Sequence, residues 1–235
     1  MRRSIAATAI LTLCSIADAS SVGAETLQLT IDGQPRTYLL ERPNAGARSP
    51  TVIVLHGAGG KAERVAQLTG LAQLGPQEGF AAVFPQSRAN VWNRFLPGKE
   101  SPRAIELFSK FGGPPNDRGF LKSLIADLVR RGISDPARIY LAGISNGGFM
   151  TLQMFCSEGG LLAGIGLVVS SMTEAIGEEC QPAKPLPMLV LNGTADEAVP
   201  YRGGAVAPLP GQSITLSVWS TDRLLFHFRK LNGCA

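Results

Sequence analysis

Apolar runs alternate with amphipathic stretches along most of the chain. Short runs rich in Val, Ile, Leu and Ala predict buried strands, and stretches with apolar residues three or four apart predict helices. The predicted strands are 27–31, 36–41, 51–55, 81–84, 139–142, 164–170 and 187–191, and the predicted helices are 61–74, 120–131, 149–155 and 219–231. Apolar strands separated by helices are typical of a mostly parallel sheet with helices on both faces, so we predict an α/β fold.

Turn residues mark how these elements connect. Asp32-Gly33 between the first two strands predicts a tight hairpin, and Gly75-Pro76 predicts the end of the first helix. Residues 88–115 and 202–213 are rich in Gly, Pro and polar residues and predict long loops. We expect the first of these loops to lie over the carboxyl ends of the strands, where sites form in such sheets.

The first 24 residues resemble an export signal. Arg2 and Arg3 precede an apolar run over 5–16, and small residues end at Ala24, where we predict cleavage. The apolar run is too short for a membrane span, which needs about 20 residues. Lipidation at Cys14 is an alternative, but the residue before it is a leucine and therefore larger than expected. We predict a single secreted or periplasmic domain over 25–235, with no membrane attachment after cleavage.

Charge and cysteine content limit the function classes. The formal net charge is +4, with no block of Lys and Arg, which gives nucleic-acid binding little support. In an oxidising compartment Cys156 and Cys180 could pair as a disulfide. Cys234 is then either a buried free thiol or the partner of a cysteine in a missing tail. The chain has no C-x-x-C and no clustered histidines, so we predict no metal site.

The chemistry centres on a G-x-S-x-G motif, Gly143 to Gly147, which stands between a predicted strand and a predicted helix. In this context the motif predicts a nucleophile elbow, with Ser145 on a strained turn. The two glycines leave room for the neighbouring strand and helix to approach closely. A chance match in a glycine-rich loop is the alternative.

A second glycine-rich turn, His56 to Gly60, directly follows a central strand. Such a turn presents backbone N–H groups, so we predict that Gly57 or Ala58 and the N–H of Asn146 form an oxyanion hole. A plain loop or a phosphate cradle are the alternatives. A P-loop is disfavoured because Lys61 is not followed by Ser or Thr.

A serine nucleophile also needs a base and an acid that orients the base. Asp196 follows the strand ending near Leu191 and is the predicted acid, with Glu197 as its nearest rival. The chain has two histidines. His56 belongs to the glycine-rich turn, and His227 is the candidate base, although its position within a predicted helix disfavours that role.

Five segments resemble one family in the same order across nearly the whole of residues 25–235. They are His56-Gly57-Ala58-Gly59-Gly60, Asn116-Asp117-Arg118-Gly119-Phe120, Gly143-Ile144-Ser145-Asn146-Gly147-Gly148, Asn192-Gly193-Thr194-Ala195-Asp196 and Val199-Pro200-Tyr201-Arg202-Gly203-Gly204. They resemble the secreted polyhydroxybutyrate depolymerases and the related feruloyl or acetylxylan esterases. The resemblance implies an α/β-hydrolase that cleaves esters without a cofactor, with Ser145 as nucleophile and Asp196 as acid.

Asn232-Gly233-Cys234 resembles the Asn-Gly-Cys that ends a late helix in this family. Family members continue with a strand and a segment that carries the catalytic histidine, whereas this sequence stops at Ala235. We therefore expect a C-terminally truncated α/β-hydrolase, with reduced activity in the chain as printed.

The leading substrate is a hydroxyalkanoate oligomer or polymer, and plant cell-wall esters are the alternative. A non-catalytic binding protein of the same fold is the alternative from another class. Trp92, Phe95 and Phe108 line a substrate pocket or form an ordinary hydrophobic cover. Nothing in the sequence indicates an oligomeric state.

Overall fold

The architecture was taken from a computed structural model that describes residues 24–43, 48–95, 100, 102–180, 182, 184–207 and 216–234. Its strands are β1 Glu25–Ile31, β2 Gln34–Glu41, β3 Ser49–Leu55, β4 Ala81–Pro85, β5 Ser134–Ile144, β6 Gly164–Val168, β7 Met188–Leu191, β8 Gly204–Val206 and β9 Leu216–Val218. Its helices are α1 Ala62–Thr69, α2 Leu71–Glu78, α3 Pro102–Ser109, α4 Asp117–Arg130, α5 Asn146–Glu158, α6 Glu174–Glu179 and α7 Thr221–Leu231, with a 3-10 turn at Gly159–Leu161. The predicted signal segment lies almost wholly outside the described residues and stays a prediction.

Seven strands form one sheet in the order β1-β2-β4-β3-β5-β6-β7. Strands β1 and β2 are antiparallel, with Asp32 and Gly33 both at positive φ in the turn between them, as the Asp-Gly pair predicted. Strand β2 is antiparallel to β4, and β4, β3, β5, β6 and β7 are mutually parallel. The carboxyl ends of the parallel strands therefore meet at one edge of the sheet, where the candidate site lies.

Alternate residues of each strand enter two separate cores. On one face Ile53 and Leu55 pack with α4, α5 and α7, and the largest apolar cluster forms there. On the other face Val54 and Phe84 pack against α1 and α2. Helices therefore cover both faces of a mostly parallel sheet, which confirms the predicted α/β layout.

In the described part of the chain the second face is covered over β2, β3 and β4. Over β5, β6 and β7 it presents an apolar surface lined by Tyr140, Gly164, Gly166 and Leu189. Leu189 and Leu191 are 61% and 55% exposed, and Tyr140 is 38% exposed. Large apolar side chains grouped on one sheet face are unusual for a free surface.

Several predicted elements differ from the structure. The first helix breaks at Gly70, which adopts the left-handed conformation, and α2 continues through Pro76 until Gly79. The left-handed Gly70 separates the two helices, and α2 accommodates Pro76 within it, so the predicted break at Gly75-Pro76 was wrong. The predicted 88–115 loop contains α3. Strands β8 and β9 and helix α6 were not predicted, because each has only three to six residues.

None of the helices among the described residues is both long enough and apolar enough to cross a membrane.

Candidate active site

Ser145 stands at the junction of β5 and α5 in a strained backbone conformation. Its φ is 51° and its ψ is −114°, a region that residues with a side chain rarely occupy. Its N–H donates to the carbonyl of Val168 at the end of β6 (2.9 Å), and its carbonyl accepts from Phe149 in α5 (3.1 Å). These two bonds hold the strained turn, and the geometry is typical of a nucleophile elbow.

The glycines beside Ser145 allow three backbones to meet. A Cβ on Gly143 would overlap the backbone of Gly147. A Cβ on Gly147 would lie 2.5 Å from the carbonyl oxygen of Leu55 and 2.6 Å from that of His56. A larger residue at Gly143 would push α5 away from β5, and one at Gly147 would push α5 away from the carboxyl end of β3, so both glycines are required by packing.

The glycine-rich turn after β3 lies directly beside the elbow. The Cβ position of Gly57 is 3.7 Å from the Cβ of Ser145. Within the part of the chain that the structure describes, the N–H groups of Gly57, Ala58 and Asn146 have no hydrogen-bond acceptor. The structure thus brings Ser145 together with three predicted donor residues, whose N–H groups are of the kind that stabilise an oxyanion.

His56 supports this turn and is not a base for Ser145. The ring is buried, Nε2 accepts from the N–H of Ser87 (3.2 Å), and Nδ1 lies 2.7 Å from the carbonyl of Gly57. Because Nε2 is an acceptor, we assign the ring proton to Nδ1, which donates to Gly57. Burial lowers the pKa of His56, so the neutral ring fixes the Gly57 peptide.

The side chain of Asn146 has a role that the sequence did not reveal. Its Oδ1 accepts from the N–H of Trp92 (2.6 Å) and its Nδ2 donates to the carbonyl of Trp92 (3.3 Å). The indole N–H of Trp92 donates to the carbonyl of His56 (2.9 Å). Trp92 and Phe108 are fully buried, so they form a hydrophobic cover, and Trp92 also ties the two halves of the candidate oxyanion hole together.

A buried ion pair anchors the loop that carries Trp92. Asp117 accepts from Arg36 (2.5 Å) and from the N–H of Asn93 (2.7 Å). Burial raises the pKa of Asp117, and the Arg36 charge and the Asn93 N–H oppose that shift. Asn116, not Asp117, caps α4 by accepting from Gly119. Asp117 therefore anchors the loop that carries Asn93 and does not cap α4.

Asp196 lies in the loop after β7 and is half-buried, whereas its rival Glu197 is exposed. Its Oδ1 accepts from the N–H groups of Ala198 and Val199, both at 2.8 Å. The carboxylate is therefore oriented by the backbone, and no side chain among the described residues occupies Oδ2. Such a carboxylate is suited to orienting an imidazole.

Asn192 fixes the start of the acid loop, another role that the sequence did not reveal. Its amide exchanges two hydrogen bonds of 3.0 Å with the backbone of Ser170, and its Nδ2 also donates to Thr221 (3.0 Å). One side chain thus joins the ends of β6 and β7 to the start of α7. Its only sequence signal is the Asn-Gly pair, which by itself predicts a turn.

The structure does not bring His227 into the site. Helix α7 starts beside Asn192, at the carboxyl end of β7, and ends where Asn232 bonds Leu186, at the amino end. His227 is six residues after Thr221 and lies about 9 Å further along the helix axis. Its ring packs edge-on against Trp219 (5.2 Å), and burial, followed by the charges of Arg223 and Lys230, lowers its pKa. His227 is therefore a packing residue of α7.

The cysteines lie outside the site. Cys156 in α5 and Cys180 after α6 form a disulfide, with a Cα–Cα distance of 4.7 Å. Cys234 is an exposed free thiol, so of its two predicted alternatives the buried thiol was wrong. Among the described residues, no group of three or more His, Cys, Asp or Glu side chains could hold a metal ion.

Comparison with solved structures identifies the fold. A thermostable esterase superposes on 90% of this chain and 52% of its own, with a TM-score of 0.65 and 19% identity. A cold-adapted esterase from an Arctic intertidal metagenomic library covers 89% of this chain and 80% of its own, with a TM-score of 0.58 and 15% identity. The chain therefore has the α/β-hydrolase fold, as the resemblance implied.

Sequence comparison finds relatives named as esterases. NocK of Nocardia uniformis subsp. tsuyamanensis, whose name assigns it provisionally to the esterases, is 29% identical over 197 residues, 82% of this chain and 54% of NocK. Feruloyl esterase B of Piromyces equi is 31% identical over 121 residues, 51% of this chain and 22% of that enzyme. Poly(3-hydroxyalkanoate) depolymerase C of Paucimonas lemoignei is 28% identical over 123 residues, 50% of this chain and 27% of that enzyme. No family model matches the chain. The chain spans about half the length of NocK and less of the other two.

Proposed function

We propose that this protein is a serine carboxylic-ester hydrolase. The observation that carries the proposal is the strained Ser145, which stands beside the N–H groups of Gly57, Ala58 and Asn146. These groups have no hydrogen-bond acceptor among the described residues. Relatives named as esterases support ester hydrolysis as the reaction class.

In the proposed reaction the Oγ of Ser145 attacks the ester carbonyl while a base takes its proton. The N–H groups of Asn146 and of Gly57 or Ala58 stabilise the oxyanion as the carbonyl becomes tetrahedral. The alkoxide then leaves with a proton from the base, and water releases the acid from the acyl-enzyme. Asp196, held by two backbone N–H groups, orients the base and stabilises its charged form. No cofactor takes part.

We further propose that the base is a histidine on a segment other than those described. No hydrogen bond joins His56 or His227 to Ser145 or Asp196 in the described structure. The exposed apolar face over β5, β6 and β7 supports a covering segment, because burying Leu189, Leu191 and Tyr140 would stabilise the fold. That segment would belong to the same polypeptide and would pack beside β7. A base-free chain would keep only the part of catalysis that binding and the oxyanion hole supply.

Two classes of ester are candidate substrates. Relatives include a poly(3-hydroxyalkanoate) depolymerase and a feruloyl esterase. We propose hydroxyalkanoate oligomers or polymer first, and feruloyl or acetylxylan-type cell-wall esters as the alternative. We also propose export to the periplasm or the medium, which the Cys156–Cys180 disulfide supports. Peptide mapping of the exported protein should find its N-terminus at Glu25.

A non-catalytic binding protein is the second candidate function, favoured because no histidine of the described residues is hydrogen-bonded to Ser145. Turnover of p-nitrophenyl butyrate by the protein from its complete reading frame separates the two candidates. Hydrolysis that disappears in Ser145→Ala supports the hydrolase. No hydrolysis, or hydrolysis that survives Ser145→Ala, supports the binding protein or another site.

A further inference from the structure

Arg94 lies on a segment that is fastened along the helix of the candidate nucleophile. At one end of this segment, the side chain of Asn146 bonds both the N–H and the carbonyl of Trp92. At the other end, Nε2 of Gln153 donates to the carbonyl of Phe95 (2.8 Å). Since Asn146 directly follows Ser145 and Gln153 lies two turns later on α5, the position of Arg94 along the helix is fixed.

The guanidinium of Arg94 packs on aromatic rings beside the site. Its Cζ lies 4.6 Å from the ring centroid of Phe95 and 5.8 Å from that of Phe149. Phe149 donates its N–H to the carbonyl of Ser145 and packs in one small cluster with Val199, whose N–H holds Asp196. The positive charge therefore lies beside Phe149, which contacts both Ser145 and the loop of Asp196.

Among the described residues, two other arginines stack on aromatic rings, and each has a carboxylate partner. Arg36 lies over Phe120 at 4.1 Å and is paired with Asp117. Arg223 lies over Trp219 at 4.0 Å and is paired with Glu174 (2.9 Å). In both cases a carboxylate neutralises the stacked guanidinium.

Arg94 has no such acid among the described residues, and no hydrogen bond from its guanidinium is found there. The residue is half-buried, and burial lowers its pKa to about 10, so it remains charged at neutral pH. Keeping a half-buried guanidinium without a carboxylate lowers stability, and an anion that binds there would remove that cost. A planar fork of N–H donors matches a carboxylate in geometry.

We propose that Arg94 binds a free carboxylate of the ester substrate and makes the site selective for esters that carry one. The proposal rests on the proposed ester hydrolysis and names its substrate class. A hydroxyacid oligomer ends in a free carboxylate, whereas feruloyl and acetyl esters of a neutral sugar have none. The carboxylate could lie on the alcohol side of the scissile bond, as in the 3-hydroxybutyrate dimer, or on the acyl side, as in monomethyl glutarate.

Binding to the Ser145→Ala protein tests the proposal without requiring turnover. Calorimetric titrations compare the 3-hydroxybutyrate dimer with its methyl ester, and monomethyl glutarate with dimethyl glutarate, so the two pairs separate the alcohol side from the acyl side. We expect the acid of at least one pair to bind about tenfold to a hundredfold more tightly than its neutral ester, the range of one or two charge-assisted hydrogen bonds. The preference should vanish when Arg94→Met is added and survive in part with Arg94→Lys.

Arg223→Met is the matched control, because it removes a stacked arginine whose charge Glu174 already neutralises. It should leave the preference for the acid unchanged. Equal binding of acid and neutral ester in both pairs, or a preference that persists in Arg94→Met, would overturn the proposal. Thermal denaturation of each variant verifies folding. Failure of the ester hydrolase itself would be seen separately, as absence of turnover of any of these esters by protein that retains Ser145.

Discussion

Replacing Gly147 by alanine perturbs the elbow at its tightest contact. The added Cβ would lie 2.5 Å from the carbonyl oxygen of Leu55 and 2.6 Å from that of His56. Ordinary C···O contacts are about 3.3 Å or longer, so the backbones must separate by about 0.8 Å. Both contacts are with main-chain atoms, which no side-chain rotation can relieve.

The separation falls between the two groups of oxyanion donors. Gly57 and Ala58 follow the displaced carbonyls, and Asn146 precedes the displaced helix residue. Moving donors by nearly 1 Å from a reacting oxygen costs about a hundredfold in rate. Overpacking costs about 1–3 kcal/mol of stability, and the higher helix propensity of alanine returns about 1 kcal/mol of it. We therefore expect Gly147→Ala to fold with a modestly lower free energy of unfolding and to lose about a hundredfold in kcat/KM.

Gly160→Ala is the matched control, because nothing lies within 4 Å of its Cβ position and its φ is not positive. Urea denaturation gives the free energy of unfolding, and p-nitrophenyl butyrate hydrolysis by protein from the complete reading frame gives kcat/KM. The reasoning is refuted if Gly147→Ala retains the kcat/KM of Gly160→Ala while remaining folded.

Three further perturbations test other parts of the structure. Asn192→Ala should lower the free energy of unfolding by about 1–3 kcal/mol in urea titration, because it leaves buried backbone groups unpaired, whereas an unchanged value would show that its bonds are dispensable. Reduction of Cys156–Cys180 opens the loop that the disulfide closes in the unfolded chain. The free energy of unfolding, measured with and without dithiothreitol, should therefore fall by about 3 kcal/mol. Burial lowers the pKa of His56 and of His227 in the folded state, so stability present above about pH 6.5 should fall as the pH drops below it, by at most about 1.4 kcal/mol per unit for each histidine. His227→Gln should reduce that slope, and an unchanged slope would contradict the assignment.

The sequence predicted the sheet and the elbow because both follow local rules. Apolar runs such as Val52 to Leu55 enter a buried strand in any α/β protein, and Gly143 and Gly147 are required wherever a strand and a helix meet this closely. The short elements were not predicted, for the opposite reason. Strands β8 and β9 are held by pairing with each other, and a three-residue run carries too little periodicity to be seen in sequence.

The supporting residues of the site could not be predicted, since their partners are far apart in sequence. Asn146 and Trp92 are 54 residues apart, and Arg36 and Asp117 are 81 residues apart. No local pattern encodes such contacts. His227 illustrates the reverse, because its helical neighbours already disfavoured a loop position, and the orientation of α7 agrees with that expectation.

Reaction with a fluorophosphonate tests the central proposal most directly. The protein from its complete reading frame is treated with the reagent, digested and mapped by mass spectrometry, with Ser145→Ala as the parallel sample. If Ser145 is the nucleophile, one adduct should form on the peptide that contains it, and Ser145→Ala should carry none. Folded protein without an adduct, or an adduct that persists in Ser145→Ala, would contradict the proposal.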